Sequence, residues 1–293
     1  MFIYFTTFFI IAILVFTNAI TDAPNAIATL VGTKVMSFKK AAFVSAVFNL
    51  LGVIFMSFIN FSVADCISGI VKIKGNYDDI KILIGSMISV IVFALIAMKF
   101  GIPTSETHGL IAGLTGSAIA IYGINGVNFG EWKNVIIGLV WSIVGTFVIS
   151  FLLNKSLKKF LNKVKEKNIK QIQIIGCMSM SFMHGAQDGQ KFIGILIIFL
   201  SIVKGILIPK KINPIENIWI ILFVSILMFI GVSIGGKKIV ENIGSDMAKI
   251  DNKQALFTDM STALTLFIAS LTRVTSKYNT CKNNFNSRNK YIR

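Results

Sequence analysis

Apolar runs divide the chain into repeated blocks of near-uniform length. Phe2 to Ile20, Ala41 to Phe61, Ile82 to Met98, Val135 to Leu153, Phe192 to Val203 with its flanks, Ile215 to Ile234 and Leu256 to Leu271 are almost free of charge. About 20 apolar residues carry a helix across a bilayer, and these blocks reach or approach that length. A soluble helical core would show polar faces at helical spacing on most helices, and these blocks lack them. The pattern predicts an all-α polytopic membrane protein. Phe2 to Val15 could serve as a signal-peptide core, but it has no basic segment before it and no small-residue cleavage site. It is expected to be a retained first span.

Three polar islands interrupt this pattern. TNAITDAPNAIAT (17–29) follows the first run directly, MHGAQDGQKFIGI (183–195) lies within the second half, and FGIPTSETHGLIAGLTG (100–116) falls between them. Aligned on their aspartates, the first two share one grammar. Asn18 faces His184, Asp22 faces Asp188, Asn25 faces Lys191, and Ile27 faces Ile193. Such internal repetition marks transporters built from two halves, with discontinuous helices supplying ligands near the membrane midplane. In the third island Pro103 suits the first turn of a helix, and Thr104, Ser105, Glu106, Thr107 and His108 crowd that turn. The glycine-rich run after it is expected to form a re-entrant or broken helix whose N-terminus lies inside the protein.

Composition supports the membrane class. The 293 residues are 54% hydrophobic and 14% charged, with mean hydropathy +0.76, well outside the range of soluble domains. The net charge of +16 is concentrated, with Asn154 to Lys170 alone holding seven lysines and one glutamate. By the positive-inside rule this segment is cytoplasmic, and a solvated, lipid-facing role fits it better than nucleic-acid binding. The expected organisation is a first membrane repeat (1–153), a basic cytoplasmic loop (154–170), an incomplete second repeat (171–271) and a basic tail (272–293). Cys66, Cys177 and Cys281 have no paired spacing, so no disulfide or zinc framework is expected.

Ionisable groups in membrane segments cost at least about 2.5–3.5 kcal/mol each on insertion scales, which makes function the first reading for Asp22, Asp188 and Lys191. A helix N-terminus with Ser and Thr hydroxyls is an anion site. An oxyanion such as phosphate would be held by Ser105 and Thr107, with Thr104 near them, and Lys191 would add a point charge. Asp22 and Asp188 would repel that anion if left bare. They fit as ligands of a cation, with Asn18 or Asn25 completing the shell. Bound together in a low-dielectric site, cation and anion each favour the other, which is the physics of co-transport. Against this stand a structural Asp188–Lys191 pair on one helix face and Ser105 and Thr107 as plain helix caps. Glu106 reads as a proton carrier or as a lysine's partner, and His108 and His184 as packing or site residues. Neither a nucleophile elbow nor a metal-ligand motif of the H-E-x-x-H type is present, so no enzyme is expected.

The same islands resemble the signatures of the inorganic phosphate transporter (PiT) family. NAITDAPNAIATLVGTKVMS is similar to the first signature, NG-x-x-D-x-x-NAIAT-x-V-x-T. HGAQDGQKFIG is similar to HGANDAQK-x-x-G, with Gln187 and Gly189 departing from it, and GIPTSETHGLIAGLTG to the G-x-P-x-S-x-[TS]-H segment. The resemblance runs over roughly residues 17 to 271. It implies a phosphate symporter of the cell membrane driven by H⁺ or Na⁺, with no other cofactor. It also implies two inverted repeats holding the substrate between them near mid-membrane. Carried onto this chain, it points to Asp22, Asn25 and Asp188 for the coupling cation, and to Ser105, Thr107, Gln190 and Lys191 for substrate, which Thr104 joins from the helix-terminus reading. The expected partners are inorganic phosphate and membrane lipid, and a homodimer is one assembly the chain could form. A permease for another tetrahedral oxyanion such as sulfate is the alternative.

The second half has no G-x-P-x-S-x-T-H hairpin of its own. After Leu271 the chain turns basic, with Arg273, Lys277, Lys282, Arg288, Lys290 and Arg293 and no acid. It reads as a disordered basic tail. A frameshift is the sharper expectation. Codons compatible with Thr272 to Cys281, read one nucleotide later, spell Leu-Gly-Leu-Pro-Val-Ser-Thr-Thr-His-Val. On that reading the second repeat is truncated and the chain is an inactive remnant.

Overall fold

In the computed structural model, residues 2–59, 67, 69–102, 104–206, 213–241 and 252–268 are described, with Ala23, Lys158 and Phe160 described through their backbone alone. Pro103, Cys66, Cys281 and the basic tail lie outside them. The described elements are helices α1 (Phe2–Gly32), α2 (Phe38–Ile59), α3 (Tyr77–Phe100), α4 (Glu106–Tyr122), α5 (Phe129–Leu161), α6 (Glu166–Lys204), α7 (Ile218–Ile234) and α8 (252–268). No strand occurs among the described residues, which hold a single isolated bridge between Val71 and Val127. Five helices, Phe2–Gly32, Phe38–Ile59, Tyr77–Phe100, Phe129–Leu157 and Glu166–Lys204, are long and apolar enough to cross a membrane. The fold is all-α and of membrane type.

Two boundary expectations are corrected. The signature segments are not discontinuous, since TNAITDAPNAIAT lies wholly within α1 and HGAQDGQKFIG wholly within α6. Pro24 sits inside α1, where it withholds a hydrogen bond from the Ile20 carbonyl. The chain after α7 closes over that gap: a Cβ added to Gly236 would stand 3.0 Å from both Ile20 O and Pro24 Cγ. The breaks fall instead at 101–102 and 104–105 and at Gly235–Gly236. The basic segment 154–170 is helical except at 162–165, because lysine is a good helix former and the segment simply extends α5 and α6 beyond their apolar parts. α6, at 39 residues, is about 58 Å long, nearly twice a bilayer's hydrocarbon core.

α3 and α4 form an antiparallel helical hairpin. Its base is tightly bonded. Asn76 caps α3 in a capping box, and the Asp79 carboxylate accepts from the Lys74, Gly75 and Asn76 amides at 3.0, 2.6 and 3.0 Å. The Tyr122 hydroxyl, at the far end of α4, donates to Asn76 Oδ1 (2.6 Å) and Asp79 Oδ1 (3.0 Å). At its other end Gly101 and Glu106 are buried, Glu106 against α1, while Ile102 and Ser105 are exposed.

α8 runs along α6 in the same direction. Asn252 Nδ2 meets Glu166 Oε1 at one end (3.4 Å), Asp259 packs on Gly176, and Gln187 Nε2 donates to Leu266 O at the other (3.0 Å). Midway, the buried Asp259 carboxylate accepts from Thr29 Oγ1 at 2.9 Å.

α2 and α6 touch backbone to backbone. A Cβ added to Gly52 would stand 2.0 Å from Phe182 O, and one added to Gly185 would stand 2.1 Å from Asn49 O. Gly189 repeats the pattern against Val53 at 2.5 Å. Small residues at four-residue spacing allow this approach in a membrane, where packing replaces the hydrophobic drive between helices. Gly185→Ala and Gly52→Ala are therefore expected to cost about 1–3 kcal/mol each through overpacking. Gly116→Ala, where an added Cβ meets nothing within 4 Å, should be neutral or stabilising by up to about 1 kcal/mol. Unfolding of purified protein checks this; equal effects at all three positions would contradict the close-contact account.

Candidate functional site

Both repeated islands use one spacing. Asn18, Asp22 and Asn25 stand at i, i+4 and i+7 on α1, and His184, Asp188 and Lys191 at i, i+4 and i+7 on α6. In a continuous helix that spacing puts each trio on one face. The two faces meet in the interior together with the first turn of α4.

On α1, Asp22 accepts from Asn18 Nδ2 at 3.1 Å and from Asn25 Nδ2 at 3.0 Å. On α6, Asp188 Oδ1 pairs with Lys191 Nζ at 2.7 Å. His184 joins the two, its Nε2 3.8 Å from Asp22 Oδ2 and its Nδ1 3.5 Å from Asp188 Oδ2. Asp22, His184 and Asp188 each offer a ligand atom within 4.8 Å of the others, a grouping able to hold a metal ion. From α4, Thr107 Oγ1 accepts from Lys191 Nζ at 2.6 Å. Glu106 turns the opposite way and takes a hydrogen bond from Thr21 Oγ1. Asp22, Asp188, Glu106 and Lys191 are all buried.

The hydrogen bonds leave open acceptors around the aspartates. Asn18 Oδ1, Glu106 Oε2 and Asp188 Oδ2 are buried and accept no hydrogen bond from the described residues. Buried polar atoms are ordinarily satisfied, and three bare oxygens around a pair of aspartates suit a hard cation. Beside them lies a cavity of about 170 Å³, where one water needs roughly 10–15 Å³. Ser105, Thr107, His108, Gln187, Asp188 and Lys191 line one side of it, and α5 forms the other. Ser105 is also the N-cap of α4, accepting from His108 N at 3.5 Å. A helix N-terminus, two hydroxyls and a lysine thus face one space.

Of the residues expected from sequence, Asp22, Asn25, Asp188, Ser105, Thr107 and Lys191 come together here. Two do not join them. Thr104 lines a separate groove between α3 and α4 with Gly85, Ser89 and Phe93, since it precedes the cap and points along the hairpin. Gln190 turns toward α2, where its Nε2 meets Met56 O at 3.5 Å, because its helical position faces that helix. The joining role of His184, the Thr21–Glu106 bond and the α5 wall are not evident from the sequence. The matching 4/3 spacing of the trios carries the signal for His184. Nothing local marks Thr21 or Asn134.

A family model described as "Phosphate transporter family" matches residues 18–171 and 161–276. Among curated relatives, a "Probable low-affinity inorganic phosphate transporter" of Bacillus subtilis (strain 168) is 28% identical over 260 residues, covering 87% of this chain and 76% of that protein. A protein of the same description from Mycobacterium bovis is 28% identical over 262 residues, covering 87% of this chain but only 60% of its own length. A "Putative phosphate permease" of Thermococcus kodakarensis is 24% identical, with 85% and 79% covered. A solved structure named "The sodium-dependent phosphate transporter" matches with a TM-score of 0.74 and 22% identity, over 93% of this chain and 85% of that one. At that identity it establishes a shared fold.

The charge cluster makes a stability prediction. Lys191→Met leaves buried carboxylates without their cation and should destabilise the protein by about 3–5 kcal/mol. Adding Asp188→Asn should recover at least half of that loss. A double-mutant cycle read by denaturant unfolding measures the coupling, and additive losses would mean that the pair is not energetically joined.

Proposed function

The chain belongs to the phosphate transporter family, and from that premise we propose that it carries inorganic phosphate across the cell membrane in symport with a cation. The family is one of transporters, so the chain is not an enzyme. The observation that carries the reading is Asp188, which sits in both halves of the site. Its Oδ1 holds Lys191, and through Lys191 reaches Thr107 at the anion cavity, while its Oδ2 faces His184 and Asp22.

Coupling follows from that sharing. With no cation bound, Asp188 occupies the Lys191 charge and the two aspartates repel an incoming anion. A cation at Asp22 and Asp188, with Asn25 orienting Asp22, neutralises the carboxylates. Lys191 and Thr107 are then free to turn to the phosphate, with Ser105 and the α4 N-terminus. Each ligand raises the other's affinity by the same factor. Na⁺ and H⁺ both suit this scheme. The oxygen-rich set favours Na⁺, and the solved relative is by name sodium-dependent.

The helix directions favour two inverted repeats. The α3–α4 hairpin approaches the site from the Tyr77 and Tyr122 end, whereas α8 approaches along α6 from the Glu166 end. Substrate held near mid-membrane between two opposed sets of helices fits that geometry.

The test is uptake of labelled phosphate by proteoliposomes under an imposed inward Na⁺ or H⁺ gradient. Uptake should follow one of these gradients, fall at least about tenfold in Asp188→Asn, and resist excess sulfate. Unchanged uptake in Asp188→Asn would remove the shared-carboxylate scheme. Equal competition by sulfate would make the protein a general permease for tetrahedral oxyanions.

A further inference from the structure

α5 looks at first like a helix made only for lipid. Ile136, Ile137, Val140, Ile143, Val144 and Phe147 are all exposed. Yet Asn134, Gly138 and Ser142, spaced four apart, share one face, and all three line the cavity opposite Ser105, Thr107 and Lys191. Polar residues on a lipid-facing helix ordinarily bond to their own backbone. Ser142 does so, its Oγ donating to Leu139 O at 2.7 Å, and Thr146 likewise donates to Ser142 O.

Asn134 does not. Its Nδ2 donates to Glu131 Oε2 at 3.1 Å, one turn back on α5. The Glu131 side chain lies beside Gly69, where an added Cβ would stand 3.1 Å from Cγ. An amide nitrogen carries two N–H groups, and Glu131 takes one. The side chain is thus bonded from behind by a carboxylate of its own helix, on the wall of the cavity whose lining residues carry no charge.

We propose that Asn134 is a ligand of the transported anion, donating its second amide N–H across the cavity from Lys191, and that Glu131 is the residue that positions it. The inference rests on the reading of this cavity as the phosphate site. It makes α5 part of the binding machinery.

Equilibrium binding of labelled inorganic phosphate to the purified full chain tests it. A hydrogen bond to a charged group predicts about tenfold or greater weakening in Asn134→Ala. Asn134→Asp should weaken binding further than Asn134→Ala, because it sets a carboxylate against the anion. Glu131→Ala should weaken phosphate binding without lowering the melting temperature, and Glu131→Gln, which keeps the acceptor oxygen, should restore it. Phe147→Ala, on the lipid side, should bind as wild type. Equal affinities for Asn134→Asp and Asn134→Ala, or wild-type affinity in both, overturn the proposal.

Should the Asn134 variants not fold, Ser142→Cys in a background lacking Cys66, Cys177 and Cys281 gives a second measurement. An anionic thiol reagent should modify it, phosphate should slow that reaction, and Phe147→Cys should stay inert. Reaction insensitive to phosphate overturns the proposal. If wild type binds phosphate and Ser105→Ala weakens it while α5 variants do not, this inference alone fails. If wild type binds no phosphate, the reading beneath it fails as well.

Discussion

Where Gly52 passes Phe182 and Gly185 passes Asn49, α2 and α6 touch through their backbones with no side chain between them. That contact fixes the rotation of α6 about its own axis. Once its glycine face is against α2, the adjoining face, with His184, Asp188 and Lys191, has to point at α1 and α4. α1 is oriented in turn by its own close approach to α7, where Gly231 lies against Ala19 and Phe16. In a membrane, where apolar faces have no preference for one another over lipid, such steric keys do the work that hydrophobic sorting does in water. The polar site is assembled as a by-product of glycine placement.

The site stores a frustrated charge balance. Three buried carboxylates, Asp22, Asp188 and Glu106, surround one buried ammonium, Lys191, and three oxygens among them and Asn18 accept no hydrogen bond from the described residues. Such an arrangement is costly in isolation. It is also poised, because a cation relieves the repulsion and an anion then finds a freed lysine. The cost and the coupling have one origin.

Much of this is legible in the chain. The apolar blocks mark the helices, and the paired islands mark the polar interior, because charge inside a membrane segment has few structural excuses. Asp22, Asp188 and Lys191 are readable for that reason. Helix continuity through the signatures is not: the repeat pattern suggests discontinuous helices, whereas the Ile20 carbonyl that Pro24 leaves open is covered by Gly236, distant in sequence. The 154–170 segment reads as a loop because its charge suggests irregularity, although lysine and glutamate extend helices readily. Gln190 and Thr104 illustrate a further limit. A motif gives membership of a segment, whereas the direction of each side chain depends on helical phase, and one residue of phase separates Gln190 from Lys191. Asn134 is invisible for the opposite reason, since an asparagine near the start of an apolar run looks like a solvated end.

The bonds at the base of the α3–α4 hairpin have a mechanical consequence. Tyr122, Asn76 and Asp79 clamp the foot of α4, and Asp79 is held by three backbone amides. At the opposite end α4 meets the site through one turn, by Thr21–Glu106 and Lys191–Thr107. Because those bonds tie α4 to α3 and the two helices pack along their length, at Gly113 on Ser86 and Gly85 on Ser117, the hairpin acts as one lever. Over the 17 residues from Glu106 to Tyr122, an arm of about 25 Å, a tilt of roughly 5° carries the free end about 2 Å. That is enough to part a hydrogen bond while the clamp at the foot hardly moves. The bonded base of the hairpin faces away from the chemistry, and the end that meets the site carries Ser105 and Thr107.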